Sequence, residues 1–501
     1  MNLTPLLRPY FNIVYTQLDQ ARSNPEEAQR RLLARLLRKA ARTEVGRQYD
    51  FASIGSYADY ASRVPERPYE DIRPQVMRMI EGEKDVLWPG RCVRYAQSSG
   101  TSDGRSKYVP VTDESLRGCH YRGSAMSVAS YLHLHPESRM FAGKGLILGG
   151  SFATALTDLP KHVKVGDLSA HLIGSVGPGV EFMRVPSRST ALMEDWSKKL
   201  PRLISEASVR NVSNLSGVPS WFLTVLRGVL TTTGASEIHE VWPNLEVFFH
   251  GGIGFEPYRA QYNAIIDPSR MNYHETYNAS EGFFAVHDSL DTKAMLLLTD
   301  CGVFFEFTPV DDPSAAPVPC WEVTPGRVYA LTITSGNGLW RYPLGDTVRV
   351  ESVDPLRITI AGRTKAYINA FGEELMVHNA DAAITRTCHE LDCAVADYTA
   401  APVYTTDRAK GHHQWAVEFS RPPRSLEEFA ATLDRHLCDE NSDYAAKRSG
   451  NIFLAPLELI SVPQGTFSRW LASTGKLGGQ RKIPRLSNDR RVIDALLPFA
   501  R

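Results

Sequence analysis

Three observations predict an α/β protein with a large N-terminal domain of packed β-sheets and helices and a second, smaller domain. Short apolar strand-like runs alternate with longer helical stretches, a Gly/Ser-rich loop is bracketed by two β-rich runs, and the character of the chain changes near Ala361. At 501 residues the chain exceeds one ordinary core, so more than one domain is expected. The first helix signal is Asn24 as a cap, Pro25 at the first helical position and Glu27 completing a capping box before Leu32, Leu33, Leu36 and Leu37. Its other face carries Arg30, Arg31, Arg35, Arg38 and Lys39, read as the solvated side of a packed amphipathic helix in preference to a membrane-surface helix. Val86 to Val111 is β-rich around the loop, and Asp113 to Leu134 is helical. Strand-like runs follow at Gly145 to Leu148, Val247 to His250, Met295 to Thr299, Val303 to Phe307, Val328 to Thr334 and Thr347 to Val350. Helices are expected at Ala191 to Ala207 and Trp221 to Leu230. After a strand at Arg357 to Ala361 and a turn at Gly362-Arg363-Thr364-Lys365, the remaining ~140 residues have their own strands (Trp415 to Phe419, Leu457 to Val462) and helices (Ser425 to His436, Arg491 to Leu497), enough chain for a compact domain.

Composition narrows the function. Hydrophobic residues at 43% and charged residues at 22% are those of a globular protein, which excludes disorder, collagen and fibrous repeats. Lys plus Arg equals Asp plus Glu at 56 each, so no net field draws the molecule to nucleic acid or an anionic membrane. The seven cysteines form no CxxC pair, which points to free thiols in a reducing compartment. Met1 to Gln20 does not read as a signal peptide, and apolar runs such as Ala294 to Leu298 fall far short of the ~20 residues that span a bilayer; a cytoplasmic location is expected.

Five polar clusters could carry chemistry. In the loop Ser98-Ser99-Gly100-Thr101-Ser102-Asp103-Gly104-Arg105-Ser106-Lys107, glycines let successive N–H groups turn toward one anion, hydroxyls add donors, and Lys107 supplies a point charge: a phosphate clamp. The spacing is not GxxxxGK[ST] and the loop opens no helix, which disfavours a P-loop kinase. Tyr277-Asn278-Ala279-Ser280-Glu281-Gly282 offers a flat ring and an acid able to hold a hard divalent cation. In Gly338 to Thr347, Asp346 at a strand start can accept both hydroxyls of a ribose. Gly362-Arg363-Thr364-Lys365 with Ile368 to Glu374, and Gly475 to Arg485, complete the set. Taken alone, each also fits an ordinary turn.

Taken in order, the clusters resemble the ATP motifs SSGTSxGxxK, YxxSE and YRxGD of the Gretchen Hagen-three (auxin-responsive promoter) family, acyl acid amido synthetases of the adenylate-forming superfamily. The resemblance covers nearly the whole chain, including Phe249-His250-Gly251-Gly252, Gly217-Val218-Pro219-Ser220-Trp221 and the ending from Gly465-Thr466-Phe467 to Arg485. The stretches GLWRYPLGDTVRV and GRTKAYINAFGEEL are similar to bacterial-type members. Pro343 and Ala279 depart from the plant pattern, which weakens any inference of a plant-type substrate.

The resemblance implies an adenylate-forming, firefly-luciferase-like fold: an adenylation domain over residues 1–361, a hinge at 362–367 around Lys365, and a mobile α+β cap over 368–501. It implies a ligase that uses ATP and Mg2+ to convert a carboxylic acid into its acyl-adenylate, then transfers the acyl group to an amine, an amino acid, as an amide. Under it Ser98, Ser99, Gly100, Thr101, Ser102 and Lys107 would grip the ATP phosphates. Gly251 and Gly252 would let backbone approach the adenine, with Tyr277 stacked near it and Ser280 beside it. Glu281 would hold Mg2+, Asp346 with Arg363 would bind the ribose, and Lys482 would reach the α-phosphate. Residues 121–230, with Phe152, Trp221 and Phe222, would build the acyl pocket. An acyl-CoA synthetase and a catalytically inactive nucleotide-binding module are the alternatives. Small-molecule partners, no nucleic acid, no membrane and a monomer are expected.

Overall fold

One mixed sheet organises the N-terminal two-thirds of the computed structural model, which describes residues 2–98, 107–154, 156–252, 255, 258–312, 314–363, 367–404, 410–451, 453–473 and 484–500. Among the described residues the sheet has twelve strands. Five strands are parallel, with Arg184–Val185, Lys144–Ile147, Val212–Gly217, Val247–His250 and Asn272–Ala279 side by side in that order. The other part is antiparallel and continues through Gly282–His287, Met295–Leu297, Leu356–Arg363, Leu339–Val353, Val328–Ser335, Val303–Pro309 and Val318–Pro319. Asn272–Ala279 is where the two parts meet, parallel to one neighbour and antiparallel to the other.

A parallel sheet must be covered on both faces, and the central strand Val247–His250 is buried along its whole length for that reason. Phe248 packs on Phe222 and Tyr262 from one face, while Phe249 meets Tyr131 from the other. Helices Trp196–Ser208 and Pro219–Thr233 supply the first cover, and helix Arg122–Leu134 the second. A smaller sheet holds Lys107–Pro110, Arg94–Ser98 and Lys164–Gly166. From Ile368 onward a separate core forms around Phe371, Leu375, Trp415, Val417 and Leu433, on a sheet of Ala394–Val403, His412–Arg421 and Glu458–Val462 backed by helices Val377–Glu390 and Leu426–Glu440.

Several local expectations change. A helix Thr4–Ser23, unread in the sequence because Pro5 and Pro9 interrupt its pattern, precedes the first expected one. That one spans Pro25–Ala40, but the Asn24 side chain makes no capping bond. Its basic face is ion-paired: Arg30 to Glu26, and Arg35 and Lys39 to Glu114. The helix expected over Ala191 to Ala207 begins only at Trp196, because Asp195 caps it by accepting from the Ser197 N–H at 2.9 Å. All seven cysteines are free thiols. Among the described residues no helix is long and apolar enough to cross a membrane.

Candidate active site

The expected phosphate clamp is framed by two paired strands. Strands Arg94–Ser98 and Lys107–Pro110 run antiparallel with Ser98 opposite Lys107, so the loop leaves and returns at one point of the fold. Residues Ser99, Gly100, Thr101 and Ser102 lie outside the described residues, as do Lys365 and Lys482. At the hairpin base the Lys107 ammonium donates to the Tyr342 hydroxyl at 3.0 Å, and its Nζ lies 5.9 Å from the Tyr69 ring centre. Two aromatic walls therefore aim the lysine while leaving its charge uncancelled by either of them.

Ser280 and Glu281 form the two-residue tip of the next hairpin, between Asn272–Ala279 and Gly282–His287. A carboxylate at a hairpin tip ordinarily faces water, yet Glu281 is only 7% exposed. Burial pushes its carboxyl above the usual carboxylate range; Lys107 opposes that shift, while Glu374 and Asp346 add to it. Four charged groups from distant parts of the sequence thus share one electrostatic neighbourhood. Glu281 was expected to bind a divalent cation, and Asp346 is a second carboxylate within its electrostatic reach. Among the described residues no cluster of three or more His, Cys, Asp or Glu is built to cage a metal, and Mg2+ characteristically takes one or two carboxylates and completes its shell with phosphate oxygens and water.

Asp346 closes the arrangement. It lies in strand Leu339–Val353 directly opposite Arg363 of Leu356–Arg363, so the pair named from sequence is adjacent on the ladder; the Arg363 side chain lies outside the described set. The Tyr277 hydroxyl donates to Asp346 Oδ2 at 2.7 Å. The Tyr277 ring is buried, 4.9 Å from Phe284. Orienting Asp346 is therefore what Tyr277 is seen to do, rather than offering an open ring face. Gly251 follows the parallel strand Val247–His250, and a Cβ there would lie 2.4 Å from the Thr276 carbonyl, so only glycine lets these strand ends approach. The Gly252 carbonyl accepts from Asn369 Nδ2 at 3.3 Å. Gly251, Gly252 and the Tyr277–Glu281 segment thus sit at the carboxyl ends of parallel strands, the customary ligand edge of such sheets.

The aromatics expected in the acyl pocket divide. Phe222 is fully buried core against Phe248, and Trp221 faces the C-terminal third instead: its Nε1 donates to the Phe371 carbonyl at 3.2 Å and its ring stacks on Phe453. Phe152 packs edge-on to His171. Sequence reading also missed residues that hold the site and others that hold the frame around it. Tyr342 holds Lys107, and Glu374, inside the quoted GEEL stretch, reaches Glu281 electrostatically. Arg341 is a buried ion pair with Glu306, with Nε–Oε1 at 3.0 Å and further donation to the Ala61 and Val64 carbonyls. An arginine inside the otherwise apolar run from Leu339 to Leu344 was the available signal for that pair.

Comparison with known proteins finds relatives along nearly the whole chain. The GH3 family N-terminal domain matches residues 14–271, the GH3 family central domain 296–363 and the GH3 family C-terminal domain 378–491. The indole-3-acetic acid-amido synthetase GH3.4 of Arabidopsis thaliana is 22% identical, with 95% of this chain and 93% of that one aligned. Indole-3-acetic acid-amido synthetase GH3.10 of the same plant is 25% identical over 87% of each. Among solved structures, the GH3.15 acyl acid amido synthetase superposes with a TM-score of 0.61 at 20% identity, covering 97% of this chain and 95% of that one. A 2-hydroxyisobutyryl-CoA ligase bound to 2-HIB-AMP and CoA superposes with a TM-score of 0.59 at 14% identity, covering 96% and 94%. The expected adenylate-forming fold is the one found. With its N-terminal domain alone matched over more than half of the sequence, the chain belongs to the GH3 family.

Proposed function

We propose that the chain is an acyl acid amido synthetase: it activates a carboxylic acid with ATP as the acyl-adenylate, releasing pyrophosphate, and passes the acyl group to an amino acid, giving an amide and AMP. The observation that carries this reading is the convergence of Lys107, Glu281 and Asp346, from three remote motifs, on one partly water-excluded neighbourhood.

A carboxylate is a poor electrophile. In the first half-reaction its oxygen attacks the α-phosphorus and pyrophosphate leaves; in the second the amine nitrogen attacks the acyl carbon, AMP leaves, and the nitrogen loses a proton. The protein's contribution is position and field. Ser98, Ser99, Gly100, Thr101 and Ser102 grip the phosphates, with Lys107 held against Tyr342 as their point charge. Asp346, oriented by Tyr277 and paired on the ladder with Arg363, holds the ribose, and Gly251 and Gly252 admit the adenine with Ser280 at its border. Glu281 is the residue that would hold Mg2+, which when bound screens charge on the phosphates. Lys482 reaches the α-phosphate during the first step. Residues 1–361 form the adenylation domain, 362–367 the hinge and 368–501 the cap, whose rotation exchanges Lys482 for an open route to the amine. The protein works as a cytoplasmic monomer.

A thioester-forming reading shares the first half-reaction, and the fold does not separate the two, since a CoA ligase shares it. The test is acid-dependent exchange of labelled pyrophosphate into ATP across a carboxylic-acid library, followed by product analysis with CoA or an amino-acid mixture. Amide with AMP supports the proposal. Thioester alone, or no exchange with any acid, sinks it.

A further inference from the structure

The C-terminal third carries two cysteines that its backbone brings side by side. Cys388 stands in the last turn of helix Val377–Glu390, and Cys393 lies two residues past the helix cap Leu391. Between cap and Cys393, Asp392 takes a left-handed φ of +46°, and the Cys393 N–H donates to the Cys388 carbonyl at 3.1 Å. A left-handed residue after the cap, with a bond from the next residue back into the last turn, is the Schellman helix ending. It sets the side chains at its two ends, here Cys388 and Cys393, against each other. With the covalent bonds from N and O to their own Cα atoms, that 3.1 Å contact caps the Cα–Cα separation at about 7 Å, the outer limit of what a disulfide bridges. Arg421, ending strand His412–Arg421, steadies the turn by donating to Asp392 Oδ1 at 2.8 Å.

The two thiols are unequal. Cys393 is 4% exposed and belongs to the core around Trp415 and Leu433, whereas Cys388 is half-buried at the edge of that core. Burial pushes the Cys393 thiol up to about 12, and the Cys388 thiol beside it adds to the shift. A dissolved oxidant therefore meets Cys388 first, while Cys393 waits as a protonated partner. A second close pair in the large domain is closed off: Cys301 donates to the Cys119 carbonyl at 3.3 Å, but the two residues are 0% and 2% exposed.

We propose that Cys388 and Cys393 are a redox pair, closed by a hydroperoxide into a disulfide that staples the end of helix Val377–Glu390 to the start of strand Ala394–Val403. The Cys388 thiolate attacks one oxygen of the hydroperoxide. The O–O bond breaks, the other oxygen takes a proton and leaves as alcohol or water, and Cys388 becomes a sulfenic acid. The Cys393 sulfur then attacks the Cys388 sulfur and passes its proton, through solvent, to the departing hydroxyl, which leaves as water. The two thiols have lost two electrons and two protons, and the peroxide has taken them up. Neither step draws on the ligase chemistry.

The test uses the whole chain, reduced with dithiothreitol, desalted, and exposed to hydrogen peroxide while folded. It is then denatured in an alkylating reagent and cut with trypsin. No Lys or Arg lies between Arg386 and Arg408, so one peptide, residues 387–408, holds both thiols. That peptide should escape alkylation and weigh about 2 Da less than its dithiol form, the loss of two hydrogens, and dithiothreitol should restore it. Cys119 and Cys301 should stay alkylatable. In Cys393→Ser a sulfenic acid should persist at Cys388, where dimedone captures it, and in Cys388→Ser the remaining Cys393 should stay a thiol. Full alkylation of the 387–408 peptide after peroxide overturns the proposal, as does irreversible oxidation of Cys388 without a bridge or a bridge from Cys388 to any other cysteine. Equal oxidation of the remaining thiol in the two variants overturns the order of attack. Should a variant fail to fold, the wild-type peptide still decides.

Discussion

The two parts of the molecule present their charges in different ways. In the large domain Lys107, Glu281 and Asp346 stand on hairpins and ladders whose register fixes them, with Ser98 opposite Lys107, Ala279 opposite Gly282 and Asp346 opposite Arg363. The C-terminal third reaches the same region through single polar contacts and an aromatic corner: Asn369 to Gly252, Trp221 to Phe371, the Tyr258 hydroxyl to the Ala370 carbonyl, and Lys447 on Trp221. A ladder holds a charge still, as stabilisation of a developing phosphorane requires, whereas a few polar bonds can be released and remade. The contrast teaches which substitutions should damage folding and which should damage only one half-reaction.

The largest effect is expected inside the large domain's frame. Arg341→Met leaves Glu306, fully buried and already pushed above the usual carboxylate range by desolvation, without its partner. A loss of about 3–5 kcal/mol in urea unfolding is expected, with the KM for ATP unchanged in the folded fraction. Full stability with lost ATP affinity would move Arg341 into the nucleotide site and blur the contrast. Next comes the C-terminal part. Lys482→Ala should lower acid-dependent pyrophosphate exchange by about 100-fold, the scale of one lost transition-state charge contact. It should spare both stability and amide formation from supplied acyl-adenylate; equal loss in the two half-reactions would contradict a movable lysine. Asp346→Ala should weaken ATP binding by about 10-fold or more, the scale of a hydrogen bond to a charged group, and leave acid binding alone, as read by calorimetry. The smallest effect belongs to Tyr277→Phe, which removes one hydrogen bond to Asp346 and should raise the KM for ATP by about fivefold. A drop as large as that of Asp346→Ala would show that the Tyr277 ring itself meets the nucleotide.

What the sequence made legible follows from range. Val247–His250 was read to the residue because a strand buried on both faces is apolar throughout, and the β-hairpin frame of the phosphate loop was visible in its flanking runs. The motif acids were legible as types at spacings. Their burial was not, since nothing local says that the hairpin tip carrying Glu281 turns inward under the charge of Lys107. The surroundings of Trp221 were hidden for the same reason: its partners Phe371 and Phe453 lie over a hundred residues away, and only the packing of the C-terminal third on the large domain reveals that it faces their junction. Helix Thr4–Ser23 was lost to a local signal overruled by tertiary packing, since Val14 and Leu18 are buried against the main body despite the prolines.

Strand Leu339–Val353 carries both the tyrosine that steadies Lys107 and the aspartate held by Tyr277, four positions apart, and its pairing with Val328–Ser335 shifts register within that interval, between Pro343 and Thr347, where Gly345 has a φ of +90°. That irregularity sets how Tyr342 and Asp346 face relative to one another, so gaining or losing one residue between them would turn one of the two away from its partner even if every other letter stayed the same. Descendants of this chain can therefore lengthen or shorten their surface connections with little penalty, but that four-step interval behaves like a phase that must be inherited whole.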